Sequence, residues 1–76
     1  MPKFHFNIRD HRGLIPDIEG MELPDIAAAR QEAEEGAREI LAEALRYHEE
    51  IDGKRIEIVS ETGDVIDILK VRDLLS

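Results

Sequence analysis

The 76-residue sequence contains no cysteine and no tryptophan. Without cysteine, neither a disulfide nor a thiolate-ligated zinc site can stabilise so short a chain. A domain of this size buries only about 60% of the surface that its unfolded chain exposes, so we expect marginal stability. Further stability must come from close helix packing or from a second chain. The lack of cysteine also fits a reducing compartment, and we predict a cytoplasmic protein.

Long apolar runs are missing as well. No segment approaches the roughly 20 apolar residues of a membrane span. The first ten residues lack the apolar stretch of a signal peptide. We therefore expect one domain over residues 1–76, with no membrane contact and no export.

Positive charge is scarce, since 10 Lys and Arg residues face 18 acidic ones and the formal net charge is −8. Proteins that bind nucleic acids are usually basic, because neutralising phosphates drives their affinity. The small basic cluster of Arg9, His11 and Arg12 is flanked by acids. We therefore predict no nucleic-acid partner. The acidic balance promotes solubility and would suit a basic protein partner.

The segment "KFHFNIRD" alternates apolar and polar residues, as a strand with one buried face does. Phe4, Phe6 and Ile8 form its apolar side. The next residues, "DHRG", are predicted to reverse the chain. We expect "LIP" to return as a short edge strand, because proline cannot donate to a sheet ladder, and "MEL" to extend or pair again.

The clearest periodicity lies between about residue 25 and residue 51. Asp25 is predicted to cap the start of a helix, and Gly53 to end it in the left-handed conformation. Small or apolar residues recur there with a mean spacing of about 3.6, the helical period, at positions 26, 29, 33, 37, 40, 44, 47 and 51.

Small residues dominate the first half of this helix: Ala29, Ala33 and Ala37, with Gly36 beside them. Small side chains let a helix approach a sheet closely, and bulky side chains on the sheet then fill the space. We expect these residues to pack against the phenylalanines of the first strand.

The segment "KRIEIVSETGDVIDILKV" is predicted to form a β-hairpin, in which Gly63 supplies the positive φ of the turn. We expect Ile56 and Ile58 on one face, joined by Ile66 and Ile68. Further apolar residues fall on the other face. The last segment, "RDLLS", is expected to be a helical turn or a tail.

These elements predict an α+β fold in the order β-β-α-β-β. One long amphipathic helix would pack on a small three- to four-stranded, mainly antiparallel sheet.

A helix from residue 25 to 51 would be about 40 Å long, whereas a six-residue strand spans about 20 Å. The larger apolar residues of the second half of the helix would then lie uncovered. We predict that they form a homodimer interface, with or without exchange of elements between chains; the alternative is a compact monomer with a bent helix. The candidate interface residues are Ile40, Leu41, Leu45, Tyr47, Ile51, Val65, Leu69 and Val71.

The segment "GLIPDIEGMELPD" combines turn residues with acids, among them Asp17, Glu19 and Glu22. Carboxylates in such a turn could bind a cation or a small ligand. Turn formation and helix capping explain the aspartates more simply.

The three histidines, His5, His11 and His48, match no local metal-ligand spacing. No phosphate-binding loop or nucleophile–base pattern is present either. We predict no catalytic residue, no metal, no cofactor and no enzymatic activity.

Four segments together resemble a family of small alphaproteobacterial proteins of unknown function: "FHFNIRD", "GLIPDIEGMELPD", the "AAARQEA" helix and the "DGKRIEIVSETGDVI" hairpin. The resemblance covers about residues 3 to 70. It implies the fold predicted above and a bacterial cytosolic setting, and it supplies no catalytic residues. Members often carry a second acid where this chain has Ile18.

A weaker likeness, over about residues 13 to 45, is to the HicB-type antitoxins. It implies that the acidic surface faces a basic toxin or an RNA-binding partner.

The leading functional hypothesis is a non-enzymatic, acidic, homodimeric interaction or accessory module. One alternative is an antitoxin-like or regulatory binder of a basic protein. The other is a small ligand or cation binder that uses Asp17, Glu19 and Glu22.

Overall fold

Five strands, one α-helix and a short 3₁₀ helix make up residues 1–75, the part of the chain that this computed structural model describes. The elements are β1 (Lys3–Asp10), β2 (Gly13–Ile15), β3 (Met21–Glu22), α1 (Ile26–Arg46), β4 (Arg55–Ser60), β5 (Val65–Lys70) and the 3₁₀ helix (Val71–Leu75).

The strands form one antiparallel sheet in the order β2-β1-β4-β5, and β3 also pairs with β1. The predicted α+β class and antiparallel pairing are therefore confirmed. The sheet has five strands among the described residues, rather than three or four, because "LIP" and "MEL" both pair with the same edge of β1. β2 pairs with its second half and β3 with Lys3 and Phe4.

The alternation of β1 is confirmed. Phe4 is only 4% exposed, and Phe6 and Ile8 are half-buried. Phe6 pairs with Ile58 and Ile8 with Ile56, so their side chains share the face that packs against α1. We call this the inner face of the sheet and the opposite one the outer face.

The hairpin of β4 and β5 is confirmed, with Gly63 at φ 90°. The facing of Ile68 was predicted wrongly, because Ile68 pairs with Glu57 on the outer face, whereas Leu69 pairs with Ile56. The reason is a register shift: Ile58 pairs with Asp67 and Val59 with Val65. One extra residue in β5 forms a bulge, which reverses the face of the residues beyond it.

The start of α1 is confirmed, since the Asp25 side chain accepts a hydrogen bond of 2.8 Å from the backbone N–H of Ala28. The predicted end is wrong. The helix stops at Arg46 with Tyr47 as its cap, and His48 takes the left-handed conformation at φ 56°. The Glu49 N–H then donates to the Ala44 carbonyl at 2.8 Å, as in a Schellman motif.

Gly53, the predicted helix terminator, instead lies in the turn before β4 at φ 85°. Ile51 therefore lies outside the helix. With 21 residues, α1 is about 31 Å long rather than about 40 Å.

Ala29, Ala33 and Ala37 are all buried, and the predicted packing on the phenylalanines of β1 holds for Phe4, whereas Phe6 lies at the margin of the core. The three alanines and Phe4 form the core with Ile56, Ile58 and Val71. The helix lies mainly against β4, β5 and the 3₁₀ helix rather than over β1. A Cβ placed on Gly36 would lie 3.3 Å from Ile56 Cδ1, so the expected close approach is present, with an isoleucine of β4 as the partner.

Neither helix in residues 1–75 has the length and apolar character needed to cross a lipid bilayer.

Candidate protein-binding surfaces

Because α1 lies over β4 and β5, the β1 side of the inner face is left open. A groove of about 350 Å³ runs along it. Its floor is apolar: Phe6 and Ile8 come from β1 and Met21 from β3, and Ile40 of α1 adds an apolar side chain. We call this feature the β1 groove. Met21 is 41% exposed there, so the apolar surface is accessible.

The helix side of the β1 groove is acidic. Glu32, Glu39 and Glu43 line it. Their spacing of seven and four residues places them along one face of α1. No ion pair among residues 1–75 involves any of the three. The groove therefore combines an apolar floor with uncompensated negative charge.

On the other side of α1, carboxylates are paired. Arg38 bonds Glu34 one turn away. Arg30 Nε lies 2.7 Å from a carboxylate oxygen of Asp67 in β5. This hydrogen bond, with a second one from the Ile68 backbone, lowers the pKa of Asp67.

The outer face carries basic residues at one end. Arg9, Arg55 and Lys70 are direct cross-strand partners in β1, β4 and β5. Glu57 lies 2.9 Å from Arg9 Nε and 3.7 Å from Arg55 Nε, which offsets part of the repulsion within this row. Lys70 has no ion-pair partner within the described chain.

The other end of the outer face is apolar and then acidic. Val65 and Ile68 are 53% and 47% exposed. Beyond them, Glu61 and Asp64 lie in the turn between β4 and β5. Along β4 and β5 the outer face therefore changes from basic to apolar to acidic, while Lys3 of β1 adds one cation beside Glu61.

Asp17 organises the turn between β2 and β3. Its carboxylate accepts hydrogen bonds from the backbone N–H groups of Phe6, at 3.0 Å, and Gly20, at 3.2 Å. Its own N–H donates to the Asn7 side chain at 2.8 Å, and its carbonyl lies 2.7 Å from His5 Nδ1. On this edge of β1, the stretch between the parts paired with β2 and β3 has no strand partner. Asp17 supplies the hydrogen-bond acceptor there for the Phe6 N–H.

The predicted ligand or cation site is not assembled around Asp17. Glu19 and Glu22 are both exposed, while the Asp17 carboxylate faces the backbone. No group of three or more histidine, aspartate or glutamate side chains that could hold a metal ion occurs in residues 1–75.

The three histidines lie in different local structures of the fold, although His11 lines a shallow pocket with Glu49, the neighbour of His48 in the chain. His5 is held by the Asp17 turn, His11 is in the exposed β1–β2 turn, and His48 follows the end of α1. Each histidine therefore belongs to a different local structure: a strand, a turn or a helix end.

The predicted interface residues do not form one surface. Leu45 and Tyr47 are 68% and 60% exposed at the end of α1, and Ile40 lines the β1 groove. Val65 lies on the outer face, in a different place. Leu41, Ile51 and Leu69 are partly buried against the core, and Val71 is completely buried within this chain.

Sequence reasoning missed three exposed apolar residues: Met21 in the β1 groove, Ile68 on the outer face, and Leu14, which pairs with Arg9 on the outer face. Met21 belongs to a two-residue strand, which is too short for a periodic signal. The facing of Ile68 depends on the bulge in β5, which no turn residue announces. The sequence did contain one signal for exposed apolar residues in the hairpin, since apolar residues fall on both of its faces.

Near the basic end, Asp10 accepts hydrogen bonds from the Arg12 backbone N–H at 2.7 Å and from its guanidinium at 3.1 Å. The backbone hydrogen bond is the largest cause that lowers the pKa of Asp10. This carboxylate is therefore used to close the β1–β2 turn.

No curated protein and no solved structure matches the chain. A family match covers residues 3–72, which is nearly the whole sequence and includes every strand and α1. The resemblance to a family of unknown function is thus confirmed, and the chain belongs to the family described as a domain of unknown function, DUF6894.

Proposed function

We propose that this domain is a non-enzymatic, cytoplasmic protein-interaction module that forms a homodimer through the outer face of its sheet. The observation that carries the proposal is the change from basic to apolar to acidic residues along β4 and β5 on this face, where Val65 and Ile68 are exposed. A two-fold axis through its middle would place the basic end of each copy on the acidic end of the other.

The proposed contact is self-complementary, as an isologous interface requires. Arg9, Arg55 and Lys70 would face Glu61 and Asp64 of the partner copy. Opposite charges at the rim orient two partners and speed their association. The exposed Val65 and Ile68 side chains would supply the apolar centre.

The accessible surface favours a partner as well. The chain exposes 5283 Å², whereas a folded monomer of this mass, 8.7 kDa, is expected to expose about 4,700 Å². The chain therefore exposes more surface than a typical compact monomer of its mass, as a domain that associates with a partner would.

A non-enzymatic role is supported by the use of the carboxylates within the fold. Asp17 binds backbone N–H groups, Asp10 closes a turn and Glu57 pairs with arginines. Groups that are held in this way are poorly placed to exchange protons with a substrate.

Sedimentation equilibrium of Ile68→Lys tests the homodimer. We expect the wild-type chain to have the mass of a dimer at tens of micromolar, and Ile68→Lys to be a monomer, because the added cation would be buried at the apolar centre. Ile18→Lys is the matched control, since Ile18 is 85% exposed and lies in the β2–β3 turn, outside β4 and β5. A wild-type monomer at high micromolar concentration, or equal masses for both variants, would rule out this interface.

A second candidate function is binding of a basic protein, and the distribution of charge favours it. Residues 17–52 hold twelve of the 18 acidic residues but only three of the 10 basic ones. Nine of these twelve acids, those from Asp25 onward, lie on α1 and its flanks, on the opposite side of the sheet from the proposed dimer contact, whereas Glu22 pairs with Lys3 on the outer face.

A further inference from the structure

We propose that the β1 groove binds a basic amphipathic helix of another protein. This inference rests on the proposed role as an interaction module, and it uses the inner face rather than the proposed homodimer face. Its basis is the combination of an open half-sheet, an apolar floor and an acidic side.

The width of the sheet indicates a helix. Four strands lie side by side, with β3 in line with β2, so the sheet is about 19 Å wide at a spacing of about 4.8 Å. One helix with its side chains is about 10 Å across. α1 covers the half formed by β4 and β5, which leaves room for one more helix over β1 and β2.

The lining of the groove indicates an apolar face on that helix. Phe6 and Ile8 are half-buried at the margin of the core, where they line the groove, and Met21 is 41% exposed. A helix seated there would bury these side chains and contact Ile40 on the neighbouring helix. Leu, Ile or Phe at helical spacing would satisfy both contacts.

The charge of the groove indicates lysine or arginine beside that apolar face. Glu32, Glu39 and Glu43 extend over about 16 Å of α1, at 1.5 Å per residue. Cations spaced along a neighbouring helix would meet these carboxylates. The α1 helix of a second copy is a poor occupant, because it would bring further glutamates against the same acidic side.

Fluorescence anisotropy with a labelled synthetic peptide tests the proposal. The probe is a helical peptide of about 18 residues, or about 27 Å, with leucines on one face and lysines on both flanks. A peptide with glutamates in place of the lysines serves as the charge control. We expect the basic peptide to bind and the acidic one to fail.

Matched substitutions separate groove binding from general attraction to an acidic protein. Glu39→Lys changes the groove side, whereas Glu50→Lys makes the same charge change at an exposed position beyond the end of α1 and outside the groove. Met21→Lys places a cation at the floor, and Ile18→Lys is its exposed control. We expect Glu39→Lys and Met21→Lys each to raise Kd about tenfold, and the controls to change it by less than about twofold.

Circular dichroism confirms that each variant is folded before the comparison. Equal weakening by groove and control variants would assign the binding to net charge and overturn the proposal, as would equal binding of the two peptides. Loss of a dimer in Met21→Lys would show that a second copy occupies the groove, which also overturns it. Ile68→Lys should bind the peptide as the wild type does, so failure of the outer-face dimer and failure of the groove are distinguishable.

Discussion

At the scale of single residues, the backbone takes conformations at certain positions that the sequence pattern did not reveal. His48 ends α1 in the left-handed conformation, a place that glycine usually takes. A non-glycine residue there costs about 1–2 kcal/mol. Because the first glycine after the helical pattern is Gly53, five positions later, the predicted helix extended too far.

We predict that His48→Gly stabilises the domain. Glycine removes the left-handed strain, although it loses more backbone entropy on folding, so the net gain should be about 0.5–1 kcal/mol. Thermal unfolding should show a rise in Tm of about 2–8 °C. His11→Gly, in the exposed β1–β2 turn, is the control; a His48→Gly variant that is less stable than the wild type would contradict the cap geometry.

At Gly20 the sequence pattern correctly indicated a turn, but it did not show why this position needs a glycine. It has φ 72°, and a Cβ there would lie 2.9 Å from His5 Cε1 and 3.0 Å from Lys3 Cγ. The residue allows the turn to pack directly on β1.

Gly20→Ala should therefore destabilise the domain by about 2–3 kcal/mol, through left-handed strain and steric contact. Gly63→Ala is the matched control, because Gly63 has φ 90° and open space around it. It should lose only the strain, about 1–2 kcal/mol. Chemical denaturation of both variants measures the difference, and equal losses would mean that the contact with His5 is unimportant.

At the scale of elements, long periodic segments were predictable and short ones were defined only by their partners. The alternation of β1 and the helical stripe of α1 each depend on many residues, so both emerged from the sequence. β3 has two residues and exists because Lys3 and Phe4 pair with it. The bulge in β5 likewise follows from pairing, which is why Ile68 was assigned to the wrong face.

The candidate surfaces were harder to predict than the elements. Sequence reasoning identified the apolar side of α1, including Ile40, but it could not tell that α1 would lie over β4 rather than β1. The β1 groove results from that lateral placement. The placement follows from the close approach of Gly36 to Ile56, a contact between distant parts of the chain.

We predict that Asp17→Ala weakens the edge of the sheet. The N–H groups of Phe6 and Gly20 would lose their acceptor, which should cost about 1–3 kcal/mol. Glu19→Ala, at an exposed position in the same turn, should stay within about 0.5 kcal/mol of the wild type. Urea denaturation compares the two, and an equal effect would argue against a structural role for Asp17.

At the scale of the whole molecule, stability should depend on pH in the acidic range. The pKa values of Asp10 and Asp67 are lowered below the ordinary value of 3.8 by hydrogen bonds that exist only in the folded state. Their contribution to stability is therefore fully present above about pH 4, and it is lost as the pH falls through the lowered pKa values.

Thermal melts between about pH 5 and pH 2 should show this loss, and Asp67→Asn should show a smaller one, because that residue can no longer be protonated. Glu35→Gln removes an exposed carboxylate as the control. A pH dependence of Asp67→Asn that equals the wild type would remove Asp67 from the explanation.

The order of the strands also has a consequence for biosynthesis. β1 is made first, but its long central partner is β4, and Phe4 pairs with Ser60. Such a distant pairing slows folding, because a large loop must close before its contacts can form. While the ribosome is still adding α1, the aromatic side of β1 has only the small β2 and β3 segments beside it. A nascent chain should therefore stay unfolded and sensitive to proteases until β4 has emerged.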